Sequence, residues 1–290
     1  MKSSLKIIFT LSFLLPATVI FAQKPAYQLF DQDGKNSKYN KMVRACTDAD
    51  IVLFGELHNN PISHWMQLEL AHSLYAEKGK DLILGAEMFE ADNQLIMNEY
   101  FNGMISQEKF EDEMRMWKNY PTDYKPLVEF ARDSGLKFIA TNIPRRYANV
   151  VFKLGADTLL YLSDEAKKYM MPLPLDYDTT VACYSELSGG GPMGGHGSPN
   201  LRDAQAVKDA TMSYFIQFNH HPGQLFLHFN GAYHSDNFEG IMYFLKKDQP
   251  GLKIVTISTV SQEKVDELEE ENIGKADFIL AVPETMTTTY

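Results

Sequence analysis

The stretch Ile51-Val-Leu-Phe-Gly-Glu-Leu-His-Asn-Asn-Pro-Ile-Ser-His64 decides the fold. Four apolar residues run into Gly55, Glu56 and His58 follow, and an Asn-Asn-Pro turn opens a helical pattern. Asn60 is a favourable N-cap, and Pro61 takes the first helical position, where its missing N–H costs nothing. Ile62, Met66, Leu70 and Leu74 then recur every four residues, the stripe of an amphipathic helix lying on a sheet. Strand, tight turn and helix make the opening of an α/β unit. Its turn lies at the carboxyl end of a strand, where open sheets expose a crevice and bind ligands. Glu56 and His58 sit in that turn.

The same grammar repeats outward along the chain. Asp81–Phe89 reads as a strand that closes on Glu87, and Leu136–Ala140 as one that leaves through Thr141-Asn-Ile-Pro-Arg-Arg146. Gly223–Phe229 runs into Asn230-Gly-Ala-Tyr-His234, and Lys253–Ile257 and Asp277–Val282 complete the set. Helical patterns separate the strands: 150–171, 200–219, a segment through Leu245, and an acidic stretch at 261–271. Residues 91–134 hold no strand pattern and carry Tyr100, Phe101, Phe110, Trp117, Tyr120 and Tyr124, which reads as a helical insertion placed to cover the crevice. Residues 24–50 read as a polar surface lead-in, and the segment 188–199, rich in Gly and Pro, reads as a loop. Strands alternating with helices predict an α/β fold, a mainly parallel sheet with helices on both faces. One domain over residues 23–290 accounts for the length.

Residues 1–22 have the form of a secretory signal: Lys2 and Lys6, the apolar run Ile7–Phe21, then Ala22. No cysteine near Ala22 offers a lipobox, so the expectation is an exported, periplasmic or cell-surface protein without a lipid anchor. Removing Lys2 and Lys6 from 27 basic residues leaves 25 against 38 acidic ones, a charge of −13 for about 268 residues. Such a balance argues against nucleic acid, whose phosphates demand a basic face. Cys46 and Cys183 either pair as a disulfide in an oxidising compartment or stay as two buried thiols, and the sequence leaves both open.

Four strand ends thus carry polar side chains: Glu56 with His58, Glu87, Asn142 with Arg145 or Arg146, and Asn230 with His234. Neighbouring strands lie roughly 4.8 Å apart, so adjacent strand ends can converge on one small ligand. Two histidines and two carboxylates suit a transition metal, and an arginine beside them suits a carboxylate or phosphate. Singly, each residue has a structural reading: Glu56 near a helix dipole, His58 satisfying turn amides. Jointly a shared site is the better reading, because Gly-x-x-His occurs at two strand ends, Gly55–His58 and Gly231–His234, and capping alone accounts poorly for that recurrence. His64, near the first strand end, is positioned to join them, whereas His72, His220 and His221 read as surface residues. Met193 and His196 in the glycine-rich loop are candidate ligands of a haem iron or copper, although a loop without a role is the simpler account.

At these residues the chain resembles the ChaN-like haem-binding uptake proteins of the Tiki superfamily, which also includes the TraB and PrgY proteins and, more remotely, the erythromycin esterases. The resemblance runs through Gly55-Glu-Leu-His58, Gly85-Ala-Glu-Met-Phe-Glu90, Asn142-Ile-Pro-Arg145, Leu201-Arg-Asp-Ala-Gln-Ala-Val-Lys-Asp-Ala-Thr-Met212 and Gly231-Ala-Tyr-His234. It implies haem binding in iron acquisition, commonly by a homodimer, with hand-over to an outer-membrane haem receptor. The haem-contacting candidates are then His58, His64, Glu87, Arg145, His196, Tyr233 and His234, with Tyr177 in a loop near the same edge. The alternative it implies is a metal-dependent hydrolase or protease. There Glu56, His58, Glu87 and His234 would hold a divalent ion such as Mn, Zn or Fe, and Glu56 or Glu87 would act as general base on bound water.

Overall fold

The computed structural model describes residues 24–187 and 200–290. The signal-like segment 1–22 and the loop 188–199, with Met193 and His196, lie outside the described residues. In chain order the elements are β1 (Gln28–Asp31), α1 (Tyr39–Thr47), β2 (Ile51–Glu56), α2 (Pro61–Lys78), β3 (Leu82–Glu90), α3 (Gln94–Phe101), α4 (Gln107–Glu113) and α5 (Lys125–Asp133). They continue with β4 (Lys137–Asn142), α6 (Arg145–Leu154), the single turns α7 (Asp164–Lys167) and α8 (Ala182–Ser185), α9 (Leu201–Asn219), β5 (Leu225–Gly231), α10 (Ile241–Asp248), β6 (Ile254–Gln262) and β7 (Phe278–Pro283).

Seven strands form one sheet in the order β1-β7-β6-β2-β5-β3-β4. Every pairing is parallel except β1 on β7. Because side chains alternate across a strand, β2 feeds both faces. Val52 and Phe54 pack with Met66, Leu70 and Leu74 of α2 and with Leu127 and Val128 of α5. Ile51 and Leu53 pack with Met212 and Ile216 of α9 and with Ile241 and Leu245 of α10. The central strands are buried throughout and mostly apolar because both faces are covered.

Asn60 caps α2 as its sequence predicts, its side chain accepting from the amides of Ile62 and Ser63 at 3.0 and 3.1 Å. Two expectations fail. The lead-in 24–50 is no bare loop: Gln28–Asp31 is an edge strand and Tyr39–Thr47 a helix that buries Met42 and Cys46. Four residues pairing with a partner some 250 positions away leave no local signature. Nor is there an α-helix at 261–271: β6 runs on to Gln262, whose amide donates to the carbonyls of Lys264 and Glu267, and the acidic run that follows is turn and a 3-10 segment. Side-chain satisfaction of the local backbone there competes with helix formation. Cys46 and Cys183 are both free and buried.

Candidate functional site

Sheet order brings the four polar strand ends together, because β2, β5, β3 and β4 are consecutive neighbours with parallel directions. Glu56 pairs in register with Gly231 across β2 and β5. On the other side the β3–β5 ladder ends at Ala86 and Phe229. At the next residue a carboxylate takes over the role of the backbone: Glu87 Oε2 accepts the Gly231 amide at 2.7 Å. A register shift between β3 and β4 beyond Ala86 accompanies this departure, the kind of irregularity that re-aims a side chain at a sheet edge.

The two Gly-x-x-His motifs interlock. A Cβ on Gly55 would lie 2.8 Å from the Ala232 Cα, and a Cβ on Gly231 would lie 2.8 Å from both Cε1 and Nε2 of His58. Each glycine therefore clears space for the other motif.

Glu56 is almost fully buried, at 2 % exposure, and both its carboxylate oxygens are hydrogen-bonded. Oε1 receives the Tyr124 hydroxyl at 2.6 Å and lies 2.9 Å from His58 Nδ1; Oε2 receives the Gln67 amide at 2.6 Å. Burial works against a charge on His58, but its hydrogen bond to Glu56 and the negative charge of Glu87 raise its pKa above the ordinary value. The His58 ring is a third exposed and meets Trp117 edge-on at 4.8 Å between centroids. Among the described residues, no hydrogen bond engages its Nε2.

His234 is held differently. Its Nδ1 lies 2.5 Å from Asp209 Oδ1 and its Nε2 3.2 Å from Glu87 Oε1, so both ring nitrogens face carboxylates. Burial disfavours the imidazolium, yet Glu87 and then Asp209 outweigh it and push the pKa up to about 10. For Glu87 burial likewise opposes the charge, and His234, His58 and the Gly231 amide together hold its carboxyl far below the usual range. Tyr184 donates to the other oxygen of Asp209 at 2.8 Å.

These groups border a cavity of about 620 Å³. Its apolar wall includes Leu57, Met88, Trp117, Ile143, Leu187 and Tyr233, and its charged groups include Glu87, Arg145, Lys208 and His234. The size and the mostly apolar lining with a few polar groups match those of small-molecule sites.

The candidates from sequence divide as follows. Glu56, His58, Glu87, Arg145, Tyr233 and His234 all border the cavity, and so does Asn142. His64 does not: it is buried behind the turn, with Nε2 3.0 Å from the His58 carbonyl and Nδ1 3.2 Å from Gln67 Oε1, and it fixes the His58 backbone. Arg146 turns to Asp92 at 2.5 Å. Asn230 turns into the sheet, bonding His228 and Ser235. Tyr177 bonds Asp203 at 2.5 Å, away from the cavity lining. Among the described residues, no three His, Cys, Asp or Glu side chains are disposed to hold a metal ion, so the quartet Glu56, His58, Glu87 and His234 is brought close without forming a coordination set.

Four contributors escaped sequence reasoning in these roles: Gln67, Tyr124, Asp209 and Lys208. Tyr124 and Gln67 reach Glu56 only through tertiary packing. Asp209 did leave a signal, a carboxylate on the helix face that otherwise buries Ala206, Val207 and Ala210.

The family described as haem-binding uptake, Tiki superfamily, ChaN matches residues 42–245. ChaN of Campylobacter jejuni, whose structure is described as showing cofacial heme binding, superposes with a TM-score of 0.66 at 18% identity, covering 88% of this chain and 96% of that one. A succinoglycan biosynthesis protein superposes with a TM-score of 0.52 at 11% identity, covering 89% of this chain and 94% of its own. Protein RETICULATA-RELATED 5, chloroplastic, of Arabidopsis thaliana is 27% identical over 145 residues; the match takes in 48% of this chain and only 19% of that protein.

Proposed function

We propose a haem-binding role from one premise: the chain belongs to the ChaN family of haem-binding uptake proteins in the Tiki superfamily. The observation that carries the proposal is the state of His58. Histidines that ligate a metal nearly always donate their other ring N–H to a carboxylate or carbonyl. His58 has that arrangement, with Nδ1 on the buried Glu56 carboxylate and Nε2 outside any hydrogen bond among the described residues. Bound haem would supply an iron able to take an imidazole, and imidazole is a common axial ligand. His58 is the candidate ligand, Glu56 fixes its tautomer, and Leu57, Met88, Trp117 and Ile143 offer apolar surface to a porphyrin face. Tyr233 borders the cavity too, but its hydroxyl donates to the Cys183 carbonyl at 2.5 Å. His234 has no nitrogen to offer without displacing a carboxylate.

The physiological setting we infer is haem acquisition outside the cytoplasm, supported by the signal-like residues 1–22. The partners we infer are a second copy of the chain and an outer-membrane haem receptor, as the resemblance to the ChaN-like proteins implies.

Titration of the purified protein with iron(III) haem tests the reading. A Soret band distinct from that of free haem should grow to saturation, and His58→Ala should abolish the coordinated spectrum while leaving the far-UV circular dichroism unchanged. A wild-type spectrum that stays that of free haem ends the proposal.

A second reading, a hydrolase, rests on the same pair, since a histidine oriented by a carboxylate is the arrangement of a general base. Its metal-dependent form needs Glu56, His58, Glu87 and His234 as ligands, and His234 faces carboxylates on both sides. Elemental analysis of the titrated sample separates the two: stoichiometric divalent metal without haem binding favours the hydrolase.

A further inference from the structure

A second cavity of about 960 Å³ adjoins the first and shares with it Glu90, Trp117 and Arg145. Its charge is unusual for a protein whose formal net charge is −11. Arg115, Lys118, Arg145 and Arg146 line it, and Tyr290, Met114 and Met116 supply apolar surface. Two carboxylates face these four cations. Glu90 receives Arg115 Nε at 2.8 Å, and Asp92 receives both Arg115 Nη2 and, at 2.5 Å, Arg146 Nη1. Arg115 and Arg146 are thereby neutralised. The side chains of Arg145 and Lys118, both exposed, have no ion pair or hydrogen bond among the described residues.

The position of Arg145 sharpens the point. It opens α6, whose first turn contains no acid, so its charge sits at the positive end of the helix dipole. A cation there is unfavourable, and an anion is favoured. Arg145 is exposed, so water screens its charge, and no acid among the described residues pairs with it. The charge pattern is complementary to a ligand that brings one negative charge to Arg145, which borders both cavities, and a second to Lys118, which borders the second. Haem has that form, since its two propionates leave one edge of a flat apolar ring.

We propose that Arg145 and Lys118 hold the two carboxylates of a tetrapyrrole dicarboxylic acid whose ring occupies the first cavity, so that the site selects the free acid over neutral or esterified porphyrins. This rests on the haem-binding reading and adds to it the two residues that select the ligand's carboxylates. Charge-assisted hydrogen bonds from arginine and lysine to carboxylate are the stronger kind. The surplus basic groups also draw an anionic ligand toward a protein whose overall field repels it.

The test compares iron(III) haem, its dimethyl ester and metal-free protoporphyrin IX on the wild type and on the Arg145→Gln/Lys118→Gln double variant. Wild type should bind haem roughly tenfold or more tightly than the ester, the size of one or two charged hydrogen bonds. The double variant should lose that preference while its affinity for the ester stays unchanged. Protoporphyrin IX should show the same dependence on Arg145 and Lys118 without any dependence on His58. Equal affinity of the wild type for haem and ester overturns the proposal, as does a double variant that weakens both ligands alike, the mark of a merely structural role. Free-acid preference in protoporphyrin with no haem coordination by His58 would sustain the inference while removing the axial-ligand assignment. Failure of the wild type to bind any of the three overturns both readings.

Discussion

His234 keeps its charge against burial because a carboxylate sits on each ring nitrogen, and this makes the site a source of stability with a definite pH range. Its folded pKa of about 10 lies above the ordinary 6.5, so its contribution is complete below 6.5 and is lost as pH rises toward 10. Glu87 is shifted the other way, below its ordinary 4.5, so its contribution is complete above 4.5 and is lost in acid. Thermal melting should therefore be highest between pH 4.5 and 6.5 and should fall on the alkaline side. In His234→Gln the alkaline decline should vanish. An alkaline limb of unchanged slope in that variant would show that the charge resides elsewhere.

The two glycines show how neighbouring elements set what a position tolerates. A methyl group on Gly231 would press on the edge of a partly exposed imidazole, which can rotate away, whereas one on Gly55 would press on the Ala232 backbone, which cannot. Gly231→Ala is expected to fold with a modest drop in melting temperature and to lose haem affinity by about tenfold or more, because His58 is displaced. Gly55→Ala is expected to destabilise the whole domain by about 1–3 kcal/mol, the range of overpacking strain in a close-packed core. Chemical denaturation beside haem titration measures both, and a Gly231→Ala protein with wild-type haem spectra would contradict the ligand assignment. The insertion acts at this scale too. Its π-helical turn Tyr120–Tyr124 brings Tyr124 to Glu56, and Asn119 donates to the His58 carbonyl at 2.7 Å, so the segment that borders the cavity also holds the turn in shape.

For the molecule as a whole, the cavity lies between the carboxyl edge of the sheet, the insertion, and the α6–α9 side, where Ile143, Ala148 and Ala204 belong to a hydrophobic cluster distinct from the two sheet-face cores. The insertion packs in one cluster with a sheet face, and that cluster and the α6–α9 cluster meet around one space, which is where ligands commonly bind. Sedimentation velocity with and without haem tests the homodimer: the expected result is a species of twice the mass that requires haem. A monomer that binds haem and keeps its mass would discard the dimer while leaving the binding function intact.

Much of the fold was legible locally. The apolar run before Gly55, the Asn60-Pro61 cap and the four-residue stripe of α2 are properties of short segments, and alternation of such units dictates a parallel sheet covered on both faces. The strand ends were equally legible, because chain direction in a parallel sheet carries Glu56, Glu87, Asn142 and His234 to one edge. What the sequence could not contain is which strands are neighbours and which way each side chain turns there. Strand order put β5 between β2 and β3, and so placed Gly231 against His58 and Glu87. Long-range packing turned His64 inward, brought Asp209 from α9 onto His234, and left Arg145 without an ion pair among the described residues. Helices and turns follow from interactions within a few residues; the protonation and availability of each site residue depend on groups that only the folded chain brings within hydrogen-bond distance.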